Sequence, residues 1–440
     1  MVQVQLMLPM HPPTRVLALR WKSPSIPLVV PRYPGVAKML SRAFSFPFPN
    51  DAYRHSLPLE ASSRYETPAF KRIDTELADD LDYHARYWWS SSGYALAILL
   101  ERAGYSANRQ YKLLEFFYGI TPSLGPALLP GKHQWKSFMT DDHNPIELSW
   151  DWQDGTKSPQ IRLSMEPVGI EAGLPIDPYN SFAGFKFRRA MVRLLPNVNL
   201  IWLDHFQQQL HVEEAQRSTA DHPSREFYGF DLNEDSIVGK AYLFPWFKAK
   251  ATKRSCFDVI SDAIRTLPDS TPHKLQALDV FREYVNDPST PPLEMEMLAI
   301  DLIEPAKARF KIYFRTRNVS FASVKDALTL GGRVWNTSID QGLRRLESLF
   351  HALLGGNIVD GVANKEIPFI DHRTAGILFY VQFRYLDERP TVKAYLPVRH
   401  YAQSEKAIVT ALKDHLCQDA SSLSPKTNIL NYTDAITTLW

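Results

Sequence analysis

The stretch ARFKIYF, residues 308–314, decides the fold that we expect for this chain. Side chains two residues apart lie on the same face of a strand, so Arg309, Lys311 and Tyr313 would stand side by side, with apolar residues on the other face. A single Lys-x-Tyr pattern is typical of a strand face exposed to water. If the Lys-x-Tyr pattern recurs in several strands, it would instead indicate a binding site, because a folding core alone does not require buried cations.

The pattern recurs twice more in the chain. VGKAYLFP carries Lys240 and Tyr242, and PTVKAYLP carries Lys393 and Tyr395. Upstream, PQIRLSMEP places Arg162 in a similar short strand. The cationic positions of the four segments, 162, 240, 311 and 393, are 78, 71 and 82 residues apart, which indicates an internal repeat. Strands that each contribute an inward cation predict a polyanion site inside a sheet or barrel.

Pairs of strands alternate with helices in the hydrophobic pattern from about residue 160 to residue 416. The short connection within each pair makes its two strands antiparallel. Consecutive hairpins flanked by helices predict an α+β fold, an antiparallel β-barrel ringed by helices and built from repeated αββα units. The pattern also predicts a strand at about 135–140.

The expected domain organisation is simple. Residues 1–37 are punctuated by prolines, which predicts a poorly ordered extension without a role in function. Residues 38–440 are predicted to form a single barrel domain. A chain of 440 residues could hold two domains, but one large repeat-built domain is equally allowed.

Composition limits the function classes. The formal net charge of +2 gives no general attraction to nucleic acid, so the cations must matter locally. Two cysteines are too few for a disulfide framework or a zinc site, which indicates a reducing compartment. No apolar run reaches the roughly 20 residues that span a bilayer. We therefore expect a cytoplasmic protein with small-molecule substrates, no nucleic acid and no membrane span, for which a homodimer is allowed.

Familiar catalytic motifs do not occur in the sequence. GPALLPGKH is a near miss for a phosphate-binding P-loop, because His133 stands where serine or threonine is needed. The acidic pairs Asp79/Asp80 and Asp141/Asp142 lack the spacing that would hold magnesium on a diphosphate. Metal-independent chemistry without a cofactor is therefore favoured.

Glu147 is the acidic residue with the clearest candidate role. It follows Pro145 at the start of a predicted strand, and its neighbours Ile146 and Leu148 are apolar. Alternation along the strand would therefore point the carboxylate into the barrel. A glutamate at a strand start is often exposed, but one inside the barrel beside several cations could accept a substrate proton and act as a base.

Together these segments resemble the fungal aromatic prenyltransferases of the dimethylallyltryptophan synthase family. The matching stretches run from about residue 85 to residue 416, about three quarters of the chain, and they occur in the family's order and spacing. They are FFYGITPSLGP, W-x-S-F-M-T-D-D-x-x-P-I-E-L-S-W, IRLSMEP, DPYNS, GKAYLFP, DLIEPAKARFKIYF, LTLGGR and VKAYLP. The resemblance implies a barrel of antiparallel strands ringed by helices, and an enzyme that moves an allylic group from its diphosphate to an aromatic ring.

The resemblance also implies roles for individual residues. Glu147 occupies the place of the carboxylate that holds and deprotonates the aromatic acceptor. Five preorganised cations can replace magnesium when the diphosphate leaves. The positions that bind the diphosphate of the donor in the family are occupied here by Arg162, Lys240, Tyr242, Arg309, Lys311, Tyr313, Lys393 and Tyr395.

Two positions depart from the tryptophan-using members. Glu296 stands where those members have an arginine for the amino-acid carboxylate, and Phe227 stands where they have a lysine. Repulsion by Glu296 would disfavour free tryptophan as the acceptor. The T-D-D-x-x-P-I-E-L-S-W segment instead resembles the branch of the family that acts on polycyclic phenols such as xanthones. The resemblance therefore implies a polycyclic phenol as the acceptor, with an indole or tryptophan-derived acceptor as the alternative. We expect the acceptor pocket to contain Met139, Phe227, Phe244 and Glu296.

The family's last strand pair lacks a counterpart in this sequence. That hairpin would fall near position 460, and the tail LCQDASSLSPKTNILNYTDAITTLW does not resemble it. We therefore expect a barrel whose last hairpin is missing. A truncated homologue that binds the diphosphate without catalysis is the alternative to an active enzyme.

Overall fold

The computed structural model describes residues 5–7, 64–128, 133–152, 158–213, 224–354, 367–417 and 424–439. Its strands form one antiparallel sheet in which each strand pairs with the next in the chain. They are β1 (Gln5–Met7), β2 (Ile146–Asp151), β3 (Gln160–Met165), β4 (Glu226–Leu232), β5 (Ile237–Leu243), β6 (Glu294–Asp301), β7 (Phe310–Thr316), β8 (Ile377–Phe383) and β9 (Thr391–Tyr395).

Helices fill the connections between these strands and the segments on either side. They are α1 (Pro68–Leu77), α2 (Tyr83–Trp88), α3 (Tyr94–Arg102), α4 (Ala107–Ile120), α5 (Ala183–Leu194), α6 (Ile201–Gln209), α7 (Trp246–Thr252), α8 (Cys256–Arg265), α9 (Gln276–Asn286), α10 (Phe321–Thr329), α11 (Thr337–Leu354), α12 (Val398–Tyr401), α13 (Glu405–Cys417) and α14 (Ser424–Leu439). In the described residues, none of these helices is long and apolar enough to cross a membrane.

The two faces of the sheet carry different kinds of buried side chain. Phe310, Ile312 and Phe314 of β7 alternate with the charged and phenolic side chains and are fully buried on the helix side. There they join the main hydrophobic core, where the rings of Phe314 and Phe281 of α9 lie 5.3 Å apart. The apolar side chains of the strand thus pack against the surrounding helices, and the charged and phenolic side chains lie on the inner face of the barrel.

The sheet curls until its last strands come close to its first. Lys393 of β9 lies near enough to Arg162 of β3 and Asp151 of β2 for their charges to shift its pKa. The prediction of an antiparallel barrel ringed by helices is therefore confirmed.

The tail that does not resemble a strand pair forms a helix. In α14, Tyr432 packs its ring against Trp150 and Trp152, at centroid distances of 5.7 and 4.9 Å. The helix also packs against α3 and α13. In the part of the chain that the structure describes, the last hairpin is β8–β9.

A strand pairs with the free edge of β2. Strand β1 is antiparallel to β2, and Gln5 is opposite Asp151. It lies inside the extension predicted for residues 1–37, where the proline pattern gave no sign of a strand. Positions 8–63 lie outside the described residues, so the boundary between extension and barrel stays a prediction.

The strand predicted at 135–140 does not form. This segment is a series of bends before β2. Its backbone and side chains bind Glu166 instead of a neighbouring strand: Ser137 Oγ donates at 2.5 Å and the amide of Phe138 at 3.2 Å. The buried carboxylate of Glu166 requires hydrogen-bond donors, and residues 137 and 138 supply them instead of pairing with a neighbouring strand.

Candidate active site

Five cationic side chains meet on the inner face of the barrel. Lys240, Lys311 and Lys393 are each only 6% exposed. Arg162 lies beside Asp231, with Nε 3.0 Å from Oδ1, and Lys240 donates to the other oxygen of Asp231 at 2.5 Å. The four strands that supply these side chains therefore build one cluster, as the repeat predicts.

A second carboxylate holds the other half of the cluster. Asp301 accepts from Arg309 through both oxygens, at 2.6 Å from Nε and 3.0 Å from Nη2. Nζ of Lys311 lies 3.9 Å from the same carboxylate. Nη1 of Arg309 also reaches Gln382 Oε1 at 3.5 Å. The fork of Arg309 is thereby fixed in one orientation before any ligand arrives.

Three carboxylates reduce the positive charge of this cluster. Asp151 forms an ion pair with Arg162, and Asp231 and Asp301 bind the other cations. Five cations and three carboxylates leave a formal charge of 5 − 3 = +2. The sequence reasoning counted only the cations, so it overstated the charge that a diphosphate would meet.

Burial changes the protonation of the cluster. Desolvation lowers the pKa of Lys393 to about 7, and it also lowers the pKa of Lys240 and, most strongly, of Lys311. Burial raises the pKa of Asp231, but the charges of Lys240 and Arg162 outweigh it and bring that pKa to about 2. Asp231 and Asp301 are thus ionised at neutral pH, and a bound anion would further favour the charged forms of the lysines.

Four tyrosines form a layer above the cations. We call Tyr242, Tyr313, Tyr380 and Tyr395 the tyrosine collar; successive ring centroids are 5.9, 5.1 and 5.9 Å apart. Nζ of Lys393 lies 5.9 Å from the Tyr380 ring centroid and 5.6 Å from that of Tyr395. Burial raises the pKa of all four phenols, so they remain neutral at physiological pH.

Glu147 faces the interior at a distance from the cations. It is 6% exposed, and it has no hydrogen bond or ion pair with any residue that the structure describes. Burial alone raises its pKa to about 7. A nearby cation would have lowered the pKa, and no charged group is among the causes of this shift. The raised pKa of Glu147 is therefore an effect of burial.

An aromatic box lies next to the tyrosine collar. The box consists of Phe138, Phe227, Phe244 and Trp246, with Met139 at its edge. Phe227 stacks on Tyr242 at a centroid distance of 4.2 Å and 9° between ring planes. Phe244 stacks on Trp246 at 4.2 Å and 6°. Three of the four predicted pocket residues, Met139, Phe227 and Phe244, therefore lie in one cluster.

Glu166 holds one wall of this box. The carboxylate is 2% exposed and accepts hydrogen bonds from Trp135 Nε1 at 3.2 Å and Ser224 Oγ at 2.5 Å, in addition to those from Ser137 and Phe138. Because the amide of Phe138 is one of the donors, the position of its ring depends on this network.

Glu296, the fourth predicted pocket residue, is neutralised by a neighbour. A β-bulge between Met295 and Met297 displaces Glu296 from the regular alternation. Its carboxylate accepts from Arg315 Nε at 2.8 Å, and Arg315 is itself only 6% exposed. The repulsion that the sequence reasoning assigned to Glu296 is thus cancelled, and a negatively charged acceptor is not disfavoured on this ground.

The sequence reasoning missed several residues of the site. Tyr380 and Gln382 lie on β8, whose alternating Ile-x-Phe-x-Val pattern marks their shared face, but no lysine accompanies them. Arg315 continues the alternation of β7 two residues after Tyr313, so the strand pattern could have identified it. Arg373 lies in a loop before β8, where no periodicity predicts its neighbours.

A group of potential metal ligands lies in the same region. One ligand atom from each of Asp141, His372 and His400 lies within 4.8 Å of the others. Asp141 also pairs with Arg399 at 3.2 Å, and Nε2 of His400 lies 2.7 Å from Thr374 Oγ1. An arginine on the carboxylate and a hydroxyl on the imidazole would compete with a metal ion for these atoms.

A cation cluster, a layer of neutral phenols and an aromatic box inside one barrel define an aromatic prenyltransferase, and comparisons with known proteins agree. Residues 84–418 match the family described as tryptophan dimethylallyltransferase. The chain belongs to this family, whose members use dimethylallyl diphosphate as a co-substrate.

Individual relatives show how far the similarity extends. The 4-O-dimethylallyl-L-tyrosine synthase of Claviceps purpurea (strain 20.1) is 34% identical over 358 residues, 80% of each chain. Xanthone prenyltransferase A of Emericella nidulans is 28% identical over 393 residues, 80% of this chain and 85% of the relative. The crystal structure of NotF in complex with brevianamide F and DMSPP shares the fold, with a TM-score of 0.71, 24% identity and coverage of 85% of this chain and 90% of that one.

Proposed function

We propose that this protein transfers a dimethylallyl or geranyl group from its diphosphate to a phenolic acceptor without a metal ion, and that Glu147 takes up the acceptor's proton. The observation that carries the proposal is the buried carboxylate of Glu147, which has no hydrogen bond or ion pair with the residues that the structure describes and whose pKa is about 7. A base in this range can accept a proton at neutral pH. The eight residues of the cation cluster and collar named from the sequence are proposed to bind the diphosphate.

Donor ionisation is assigned to the cation cluster. The allylic C–O bond of the trianionic donor breaks, the diphosphate leaves with the electron pair and so carries a fourth negative charge, and the allylic fragment is left as a cation. The cluster's formal charge of +2 is fixed in place by buried carboxylates, so it stabilises the leaving group without rearrangement. The N–H groups of Arg309 that bind neither Asp301 nor Gln382 remain available for a phosphate oxygen.

Bond formation is assigned to the collar and the box. The π-faces of the collar stabilise the allyl cation, and its neutral phenols are too weakly acidic to take part in proton transfer. An electron-rich ring carbon or phenol oxygen of the acceptor attacks the cation. The displaced proton is proposed to pass to Glu147, whose pKa of about 7 suits it to receive a proton at neutral pH.

The acceptor is proposed to be a phenol. The flat, apolar box suits an aromatic ring system, and the polycyclic phenol suggested by the sequence is one such acceptor. The relatives named above include a 4-O-dimethylallyl-L-tyrosine synthase, whose product carries the dimethylallyl group on the phenol oxygen of tyrosine, and a xanthone prenyltransferase. An indole acceptor is the second candidate, because the family description names tryptophan.

The test is a product assay on the purified protein. Dimethylallyl and geranyl diphosphate are each incubated with hydroxylated xanthones, hydroxyanthraquinones, L-tyrosine and L-tryptophan, and products are identified by mass. We expect a prenylated phenol. Prenylation of tryptophan in preference to every phenol would replace the phenol proposal with the indole candidate, and diphosphate hydrolysis without any prenylated product would contradict both.

Chelation tests the metal-independent part of the proposal. We expect activity to survive EDTA, because protein cations stabilise the leaving diphosphate in place of a metal. The control is His372→Ala, which removes one potential ligand from the Asp141 group and should leave the response to EDTA unchanged. Loss of turnover on chelation, with recovery on addition of a divalent ion, would contradict this part of the proposal.

Donor affinity is expected to fall as pH rises above about 7. In the empty site Lys393 has a pKa of about 7, and the diphosphate binds only the protonated cluster strongly. One proton taken up on binding makes the affinity fall by up to about tenfold per pH unit above that value. The measurement is the dissociation constant of a thio-analogue of the donor between pH 7 and 9, where the donor itself stays fully ionised.

Lys393→Arg is the matched variant for this pH dependence. Its guanidinium stays charged throughout this range, so its affinity curve should be flatter than that of the parent. The affinity of the variant should still fall somewhat as pH rises, because burial also lowers the pKa of Lys240 and Lys311. Equal slopes in parent and variant would exclude Lys393 as the titrating group.

A further inference from the structure

We propose that Arg373 forms a carboxylate-binding subsite beside the aromatic box, so that the preferred acceptor is a phenol that carries a carboxylate, such as a phenolic amino acid. The inference rests on the proposed function, because it concerns the acceptor of that same reaction. It changes the choice among phenols from an uncharged polycycle to a carboxylated ring.

Arg373 is in direct contact with the aromatic box. Its guanidinium carbon lies 4.0 Å from the ring centroid of Phe138, and Nη2 donates to the carbonyl of Phe138 at 3.2 Å. The Phe138 ring in turn contacts Phe244, with centroids 4.7 Å apart, and Phe227, at 6.3 Å. A ligand that fills the box therefore has this guanidinium within reach of its substituents.

Arg373 has no carboxylate partner among the described residues, unlike the other arginines around it. Arg315 pairs with Glu296, Arg317 with Glu294, and Arg399 with Asp141. The hydrogen bond to Phe138 uses one of the five N–H groups of Arg373 and leaves the others available. An anion that binds here would form a charge-assisted fork.

The electrostatics of Arg373 favour an anionic ligand. Burial is the main influence on this guanidinium, and it lowers the pKa even though Glu296 and Asp141 act in the opposite direction. A partly buried cation with its charge uncompensated gains more from a bound carboxylate than an exposed one does. Glu296 does not oppose this, since Arg315 holds its carboxylate.

The fixed position of Phe138 supports a preformed subsite. Glu166 binds the amide of Phe138 at 3.2 Å, while Arg373 binds its carbonyl. The backbone of Phe138 is therefore held through both its amide and its carbonyl group, and the guanidinium carbon of Arg373 lies 4.0 Å from the centroid of a ring whose backbone is fixed in this way. A planar fork in a fixed orientation is the geometry that recognises a carboxylate.

The test compares two acceptors that differ in one group. L-Tyrosine carries a carboxylate, and L-tyrosinamide carries a neutral amide of similar size. With dimethylallyl diphosphate as donor, we expect kcat/KM to favour tyrosine by about 10- to 100-fold, mainly through KM, because a carboxylate gains a charge-assisted hydrogen bond. Arg373→Gln should remove this preference by lowering the value for tyrosine much more than that for tyrosinamide, since both acceptors contact the Phe138 ring but only tyrosine carries the carboxylate.

Two controls separate binding from a structural role. Arg317→Gln alters the same loop, where Arg317 donates to the carbonyls of His372 and Ala375, and should affect both acceptors alike. Donor affinity should be unchanged in Arg373→Gln, which shows that the barrel is intact. Equilibrium binding of tyrosine and tyrosinamide to the enzyme with a thio-analogue of the donor gives a readout that does not depend on turnover.

Each result decides between the two proposals. Equal use of tyrosine and tyrosinamide by the parent enzyme, or an equal loss with both in Arg373→Gln, would overturn the carboxylate subsite. Prenylation of uncharged phenols would then leave the proposed function standing. Failure of every phenol in the product assay would instead contradict the proposed function itself.

Discussion

Glu147→Gln is expected to lower prenylation by about 100- to 10,000-fold, the usual contribution of a general base. The amide keeps the shape of the side chain but cannot accept a proton from the acceptor. Donor binding should be nearly unchanged, because no cation of the cluster lies close enough to Glu147 to shift its pKa. The measurements are kcat for a phenolic acceptor and the dissociation constant of a donor analogue.

The stability of this variant separates lost chemistry from misfolding. Burial raises the pKa of Glu147 from an ordinary 4.5 to about 7, so the folded protein disfavours the ionised carboxyl. The parent protein and the Glu147→Gln variant should therefore have equal free energies of unfolding below pH 4.5. Above pH 7 the variant should be more stable than the parent, by at most about 3 kcal/mol. Glu115→Gln on the exposed side of α4 is the control for charge removal. Undiminished turnover in Glu147→Gln would remove this residue from the mechanism.

The strand repeats were the most predictable part of this molecule. A lysine and a tyrosine two residues apart must share a strand face, and the burial of their apolar neighbours fixes which face turns inward. Lys240, Lys311 and Lys393 therefore converge as the pattern predicts. The helices between the hairpins follow from the same logic, because the outer apolar face has to be covered.

The partners of the cations were less predictable. Asp231 and Asp301 lie on β4 and β6, the strands before the first two of the three Lys-x-Tyr strands, and their contacts depend on the register of the β4–β5 and β6–β7 hairpins. A one-residue change in register would turn these carboxylates to the other face. The bulge at Glu296 is a change of this kind, and it explains why an aligned position did not reveal the ion pair with Arg315.

The site residues that lie in loops could not be predicted from the periodicity of the sequence. The predicted strand at 135–140 has apolar and polar residues in a strand-like order, but the buried Glu166 binds it as a loop. Arg373 reaches Phe138 across 235 positions of the chain. Contacts of this separation are set by the closed barrel and leave no local signal in the sequence.

Arg309→Ala is expected to lower kcat by about 100- to 1,000-fold and to weaken donor binding, as removal of one preorganised donor does for a developing anion. The structure fixes the orientation of Arg309, which binds both oxygens of Asp301. Its loss removes one of five cations and leaves a 2% exposed carboxylate with Lys311 at 3.9 Å as its remaining ion-pair partner. Single-turnover rates and donor affinity measure the two effects separately.

Two further variants show which property of Arg309 matters. Arg309→Lys keeps the charge but cannot reproduce the two parallel bonds to Asp301, so it should fall between parent and alanine variant. Arg188→Ala is the matched control, because it removes an arginine bound through both nitrogens to Asp204 on the outer helices α5 and α6. That control should retain activity.

Unchanged donor affinity in Arg309→Ala would place the diphosphate elsewhere in the barrel. At an effective dielectric constant of 20, two unit charges 4 Å apart interact by about 4 kcal/mol, so a trianion in this cluster must respond to the loss of one cation. A weakened donor with normal kcat at saturation would assign Arg309 to binding alone. A loss in kcat beyond the loss in affinity would show that its fork stabilises the charge that develops as the allylic bond breaks.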